Sequence, residues 1–234
     1  VDPLGTACAA VLALAALYRT VVGAPKLLTL GLWVTSGSQL VSALVTVLDP
    51  PLMDLTGLAN LSQIVTYLLM VLSSYIFAHV TCRLAKLSLT WPLVFTWVSI
   101  VGMCAVYPIT NLSTTPSLVV ETIPGPPSYV FSWLLSAGLL PTHVAAIIGA
   151  RKGHDRIMFW LFGIYGSVGA LYPLLMIVDR VDMYTLRWPL EVTYPVVWTI
   201  QLISFGALSL AGVIGANYYR RATSELSKVG SNEG

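Results

Sequence analysis

Two apolar runs, Tyr129–Ile148 and Ile157–Val178, flank the basic hinge Arg151-Lys152-Gly153-His154-Asp155-Arg156, and no other feature constrains the chain as strongly. Roughly 20 apolar residues rising ~1.5 Å each cross the ~30 Å hydrocarbon layer of a bilayer, so each run is long enough to be a membrane-spanning helix. Three basic residues in the hinge hold such a loop on the cytoplasmic side. Fixing one loop fixes the side of every other. Composition agrees: 56% of the 234 residues are hydrophobic and only 9% are charged, against about 25% charged in soluble domains. A soluble fold could not solvate its surface with so few charges, and the length suits one bundle.

Seven spans are predicted, at about 4–22, 27–48, 58–87, 91–108, 129–149, 157–178 and 191–219. They make an all-α, polytopic seven-transmembrane-helix bundle, with a polar cytoplasmic tail over 222–234. Leu4–Val22 reads as a span rather than a signal peptide, because no basic segment precedes it and Tyr18-Arg19 close it. The opening Val1-Asp2-Pro3, without Met, is compatible with removal of an upstream segment. Gly23-Ala24-Pro25 marks the first break. Asp49-Pro50-Pro51 is expected to stop the second span, since a helix interior does not accept a double proline. Thr90-Trp91-Pro92 reads as the cap and first turn of the fourth span. Ser117–Val120, in the longest connection, reads either as a short strand or as a segment across the bundle mouth. Arg220-Arg221 are expected to close the seventh span.

Charge tests this order. The loops after the first, third and fifth spans, with the tail, hold ten of the twelve Lys and Arg, leaving only Arg180 and Arg187 opposite. Lys/Arg count sets orientation, so the N-terminus is expected outside and the C-terminus in the cytoplasm of a multi-pass cell-membrane protein. Trp91, Tyr107, Trp188, Tyr194, Tyr218 and Tyr219 fall near the predicted interfaces, as aromatic-belt residues do. Trp33, Trp97, Trp133, Trp160 and Trp198 lie deeper and read as lipid-facing or packing residues.

No Asp, Glu, Lys or Arg falls in the middle of a span. That counts against the intramembrane carboxylate of a proton pump, though not against coordination by carbonyls and hydroxyls. The seventh span has no Lys, which excludes a retinal Schiff base there. His143, after Pro141-Thr142, and His79, a turn from Arg83, are the intramembrane imidazoles. Such a group is costly unless partnered and is a site candidate by default; a neutral histidine bonded to a neighbouring helix is the simpler reading. A metal pair of the two would need the third and fifth spans adjacent, and no third ligand is evident.

The most polar intramembrane stretch is Thr35-Ser36-Gly37-Ser38-Gln39. Ser38, Gln39, Gln63, Thr66, His143 and Gln201 are the candidate ligand-binding residues, although hydrogen bonding between helices accounts for the same set equally well. Pro141 and Pro173 are expected to kink their helices or to free carbonyls for a ligand. Gly163, Gly166 and Gly169, and Gly212 with Ala216, read as close-packing positions. Of three cysteines, Cys8 and Cys104 lie at similar depth and allow at most one disulfide, with buried free thiols favoured. Asn60-Leu61-Ser62 and Asn111-Leu112-Ser113 are glycosylation-type triplets. No HExxH, P-loop or GxSxG occurs, and no catalytic residue, cofactor or metal is implied.

Gly57-Leu58-Ala59-Asn60-Leu61, and the hinge leading into Phe162-Gly163-Ile164-Tyr165-Gly166, resemble segments of an actinobacterial seven-helix integral membrane protein family of unknown function, often labelled as transporters. The resemblance implies a membrane bundle with a transport role and brings no binding residues with it. The leading expectation is transport, or small-ligand or lipid binding, at a site among spans two, three, five and seven. The rival is a non-catalytic membrane subunit or sensor acting through helix packing. Membrane lipid is the expected partner in both, a second membrane protein or a homo-oligomer in the rival, and nucleic acid in neither. If the orientation is right, green fluorescent protein fused at the C-terminus fluoresces in cells and alkaline phosphatase fused there stays inactive; the opposite pair of results reverses the bundle.

Overall fold

The computed structural model describes the backbone of residues 2–117, 123, 125–152, 156–182 and 190–231, and the side chains of these except at 178–182, 190–195 and 226–231. Among the described residues the chain forms eight α-helices: α1 (Pro3–Val22), α2 (Lys26–Ala43), α3 (Val45–Thr56), α4 (Leu61–Leu84), α5 (Thr90–Val106), α6 (Pro126–Lys152), α7 (Arg156–Asp182) and α8 (Leu190–Ser231). A 3-10 turn covers Asn111–Ser113. Helices α1, α4, α6, α7 and α8 are long and apolar enough to cross a bilayer, and α2 with α3 makes a sixth if the bent pair counts as one span. Helix α5, with 17 residues, is apolar but shorter. The protein is an all-α, multi-pass membrane protein.

Packing follows a closed circuit. Helix α1 lies on α2, α2 on α4, α4 on α6, α6 on α7, α7 on α8, and α8 returns to α1. Helix α5 packs outside this ring against α6 and α4, and α3 packs against α4. One apolar core joins α4, α5 and α6 through Val71, Met103, Phe131 and Leu135. A second fills the ring through Leu12, Leu32, Phe77, Tyr165 and Leu208.

Local chemistry explains the first boundaries. Asp2 Oδ1 accepts from the Leu4 N–H at 3.0 Å, and Pro3 opens α1 where its missing N–H costs nothing. Gly23 ends α1 in the left-handed conformation, φ +71°, and its N–H reaches the Thr20 carbonyl.

The second span departs from expectation. Helix α2 ends at Ala43, the chain turns by 81° through Leu44, and Pro50 and Pro51 lie inside α3 rather than stopping a helix. Each proline removes one bond to the carbonyl four residues back. Those carbonyls belong to Thr46 and Val47, both exposed, so the loss falls on the open side of a short helix. Thr90 is likewise not a cap: it is the first residue of α5, and Ser88 Oγ accepts its N–H at 3.3 Å. Arg220-Arg221 do not close α8, which runs on to Ser231, so most of the expected tail is helical. Helices α6 and α7 continue unbroken through Pro141 and Pro173.

Arg19 was expected in an inner loop and is instead 2% exposed. Its Nη1 donates to the Gly212 carbonyl at 2.6 Å, its Nε to Thr29 Oγ1 at 3.2 Å and its Nη2 to the Pro25 carbonyl at 3.4 Å. One side chain thereby ties α1, α2 and α8. At Gly212 a Cβ would crowd Leu32 Cδ1 at 3.1 Å and meet Arg19 Cδ at an ordinary 3.6 Å, so the glycine serves the approach of α2 to α8 more than that of the arginine. The Tyr18 hydroxyl reinforces the joint by donating to Asn217 Oδ1. Trp33, Trp97, Trp133 and Trp160 are exposed and Trp198 is buried. The three cysteines are free; Cys104 is exposed, against the expectation of buried thiols.

Asn60 is no open glycosylation position. It is buried in the left-handed conformation (φ +59°), and its Nδ2 donates to the Leu112 and Thr115 carbonyls, both at 2.8 Å. Its Oδ1 accepts from the Ser117 N–H at 2.8 Å. Asn60 offers no cap to α4, so Asp49 of α3 supplies one, accepting from the Ser62 N–H at 2.8 Å. Residues 118–120 of the segment beginning at Ser117, with His154, Trp188 and the side chain of Tyr194, lie outside the described residues. Asn60→Ala uncovers three backbone groups and strains a left-handed residue. It should lower stability by about 2–4 kcal/mol, read as a drop in the thermal unfolding midpoint in detergent.

Candidate functional site

A cavity of about 40 Å³, its surface chiefly apolar with a few polar side chains among the lining, lies between α4, α6, α7 and α8, where the two apolar cores meet. A water needs roughly 10–15 Å³ on this scale, so there is room for about three. Helical spacing builds the lining. Ser73, Ser74 and Phe77 lie within one turn on α4; Tyr165, Gly169 and Tyr172 recur along one face of α7; Gln201, Ser204 and Phe205 share a face of α8. Helix α6 contributes Thr142 and His143.

Most of these polar groups are already engaged. Ser73 Oγ donates to the Met70 carbonyl at 2.9 Å, and Ser204 Oγ to the Tyr165 carbonyl at 3.3 Å. Ser74 Oγ donates across to α6, at 3.1 Å from the Gly138 carbonyl and 3.3 Å from that of Leu139. Neither is the carbonyl that Pro141 frees, which is that of Ala137, so the bond ties α4 to α6 rather than replacing the one the proline removes. Thr142 Oγ1 and the Tyr165 hydroxyl face each other at 3.4 Å. The His143 ring tilts at 52° against that of Tyr165, 5.1 Å between centroids.

Two atoms on lining residues are left over. His143 Nδ1 and Gln201 Oε1 are buried without a hydrogen-bond partner, on residues 8% and 9% exposed. Inside an apolar bundle such an atom is costly unless something meets it. Gly169 keeps space beside His143: a Cβ there would overlap the His143 ring and lie 2.6 Å from Ser204 Oγ. Gly166 does the same for the backbone, where a Cβ would come within 2.8 Å of the His143 carbonyl. These two glycines are close-packing positions, as expected; Gly163, with nothing within 4 Å, is not.

The six sequence candidates separate into three groups. His143 and Gln201 line the cavity. Gln63 sits at the start of α4 among loop groups, its Nε2 donating to the Ser117 carbonyl at 2.6 Å and to Asp49 Oδ2 at 3.4 Å. Ser38, Gln39 and Thr66 are buried but outside the cavity lining; Ser38 Oγ donates to the Thr35 carbonyl at 3.0 Å. The gathering of all six into one site is therefore not what the structure shows. Ser73, Ser74, Tyr165 and Ser204 escaped sequence reasoning, although Ser204 lies one turn from Gln201 and so shares its face. His79 is half-buried, edge-on to Tyr75 at 5.9 Å, and takes no part in the lining. Among the described residues no three His, Cys, Asp or Glu gather as a metal site.

No family model, curated protein or solved structure matches the chain. The resemblance noted above rests on its short segments alone. Gly169→Ala forces the His143 ring aside and should destabilise by about 1–3 kcal/mol. Gly163→Ala, in open space on the same helix, should be neutral or stabilising by up to ~1 kcal/mol; thermal unfolding of the two variants side by side checks the contrast.

Proposed function

We propose that the protein binds a small polar ligand inside its helix bundle, as a transporter or small-ligand-binding membrane protein, with the α4–α6–α7–α8 cavity as the site. The carrying observation is one cavity lined by both His143 and Gln201, each of which also holds a buried side-chain atom without a hydrogen-bond partner. Unmet polar atoms destabilise a bundle, and six more lie away from the cavity, on Gln39, Ser62, Thr66, Ser99, Ser136 and Ser209, so it is the open space beside them that singles out His143 and Gln201. We further propose seven spans, with α2 and α3 together forming one and α5 another. At 17 residues α5 is at the short end of what crosses a bilayer. The charge distribution supports an outer N-terminus and a cytoplasmic C-terminus.

The ligand is small, because the space is. The test is purification in mild detergent followed by native mass analysis of whatever travels with the chain. A monomer or homodimer carrying a small molecule, lost from His143→Ala and Gln201→Leu, supports the proposal. A stoichiometric protein partner and an empty cavity would replace it with the rival, a packing subunit.

A further inference from the structure

We infer that the ends of α4 and α6, with the start of α7, form a binding site for a phospholipid headgroup carrying two phosphates, of the cardiolipin type. The site is separate from the cavity. Two loops far apart in sequence meet there. Lys152, the last residue of α6, donates from Nζ to the Ala85 carbonyl at 3.2 Å, just past the end of α4. Gly149 lets the two helices close up, since a Cβ there would lie 2.8 Å from Thr81 Cγ2. Arg83 and Lys86 thereby join Arg151, Lys152 and Arg156 in one patch, and all five are exposed. Across 81–90 and 149–160 Asp155 is the only acidic residue, and it lies outside the described residues.

Lys86 shows that charge is favoured at this place. It holds the left-handed position that ends α4, φ +54°. The Leu87 N–H reaches the Cys82 carbonyl at 2.8 Å, and the Lys86 N–H that of Arg83 at 3.3 Å. Glycine fills such a position at least cost; here a cation stands in it.

Charge alone suits any polyanion, and the surface beside it favours a lipid. On α7, Arg156 and Trp160 lie one turn apart on one face, which continues through Gly163, Ile164 and Ser167. Trp160 is 60% exposed, and a Cβ at Gly163 would meet nothing within 4 Å. Helix α7 is also the least buried of the helices long and apolar enough to cross a bilayer. A cation, an aromatic ring and an uncovered strip therefore follow one another along a single helix, as phosphate, glycerol and acyl chain do along a lipid. Basic pockets between helix ends bind phosphate-rich headgroups, and cations from two loops match two phosphates. A soluble polyanion would leave the ring and the strip uncovered.

The test is native mass spectrometry of the purified full chain in a mild non-ionic detergent, titrated with cardiolipin, phosphatidylglycerol, phosphatidylcholine or inorganic pyrophosphate. Cardiolipin should bind with a dissociation constant at least about tenfold below that of either other lipid. Arg83→Gln with Lys86→Gln, and separately Arg151→Gln with Arg156→Gln, should each weaken it about tenfold. Arg220→Gln with Arg221→Gln, on the extension of α8, should change it less than about twofold. Phosphatidylcholine binding as tightly overturns the role of charge, and phosphatidylglycerol binding as tightly overturns the need for two phosphates. An equal loss from the α8 pair means general attraction to a basic face and overturns the site. Pyrophosphate displacing cardiolipin at equal concentration overturns the lipid in favour of a free phosphate, and Trp160→Ala without effect overturns the path along α7. The comparison among lipids uses the unaltered chain, so it holds whatever the variants do, and it holds whichever side of the bilayer the patch faces.

Discussion

Inside a hydrocarbon layer a hydrogen-bonding group has no water to turn to, so the protein must meet each one itself. The bundle is arranged around that requirement. Thr20, Thr35 and Thr81 return their hydroxyl protons to carbonyls of their own helices, and Ser36 donates across to the Ala9 carbonyl on the neighbouring one. Arg19 is the extreme case: a buried cation without a carboxylate, held by two carbonyls and a threonine hydroxyl from three directions. Among the described residues eight buried side-chain atoms go unmet, and two of them belong to residues that line one cavity.

The same requirement orders the connection between bundle and mouth. Asp49 caps α4 from a separate helix, Asn60 gathers three backbone groups of the following loop, and the Tyr107 hydroxyl donates to the Ala59 carbonyl at 2.5 Å. Helix α4 is thereby pinned at one end while it presents Ser73, Ser74 and Phe77 to the cavity further along. The cavity wall is anchored by contacts more than two turns away.

How much of this was legible in the sequence depended on whether one run of residues held the signal. The long apolar runs did, and the helices they imply are present. Gly23-Ala24-Pro25 also broke the chain where it read as a break. The turn at Leu44 did not show, because Val41–Leu48 is uninterrupted by any polar residue stronger than Ser or Thr, while the visible stop signal, Pro50-Pro51, sits inside α3. His143 and Gln201 stood out as polar groups within apolar spans. Gln63, Gln39 and Thr66 stood out for the same reason, yet they face elsewhere. Polarity shows that a residue must be met; only the rotation of each helix and its neighbours shows by what. Arg19 makes the point in reverse, since a basic residue near a helix end reads as solvated until the fold brings Gly212 against it.

Helix α8 holds 42 residues, which at ~1.5 Å each makes a rod of roughly 63 Å, about twice the hydrocarbon thickness. It enters the cavity wall through Gln201, Ser204 and Phe205 near one end and continues, without a break, past Arg220 and Arg221. A rod that is held at Gly212 by Arg19 has a pivot. A tilt of a few degrees at the cavity becomes a sideways swing of about 2 Å at the far tip, because the arm beyond Gly212 spans roughly 28 Å. One end of α8 and the other are thus parts of a single lever, and neither can turn about Gly212 without the other.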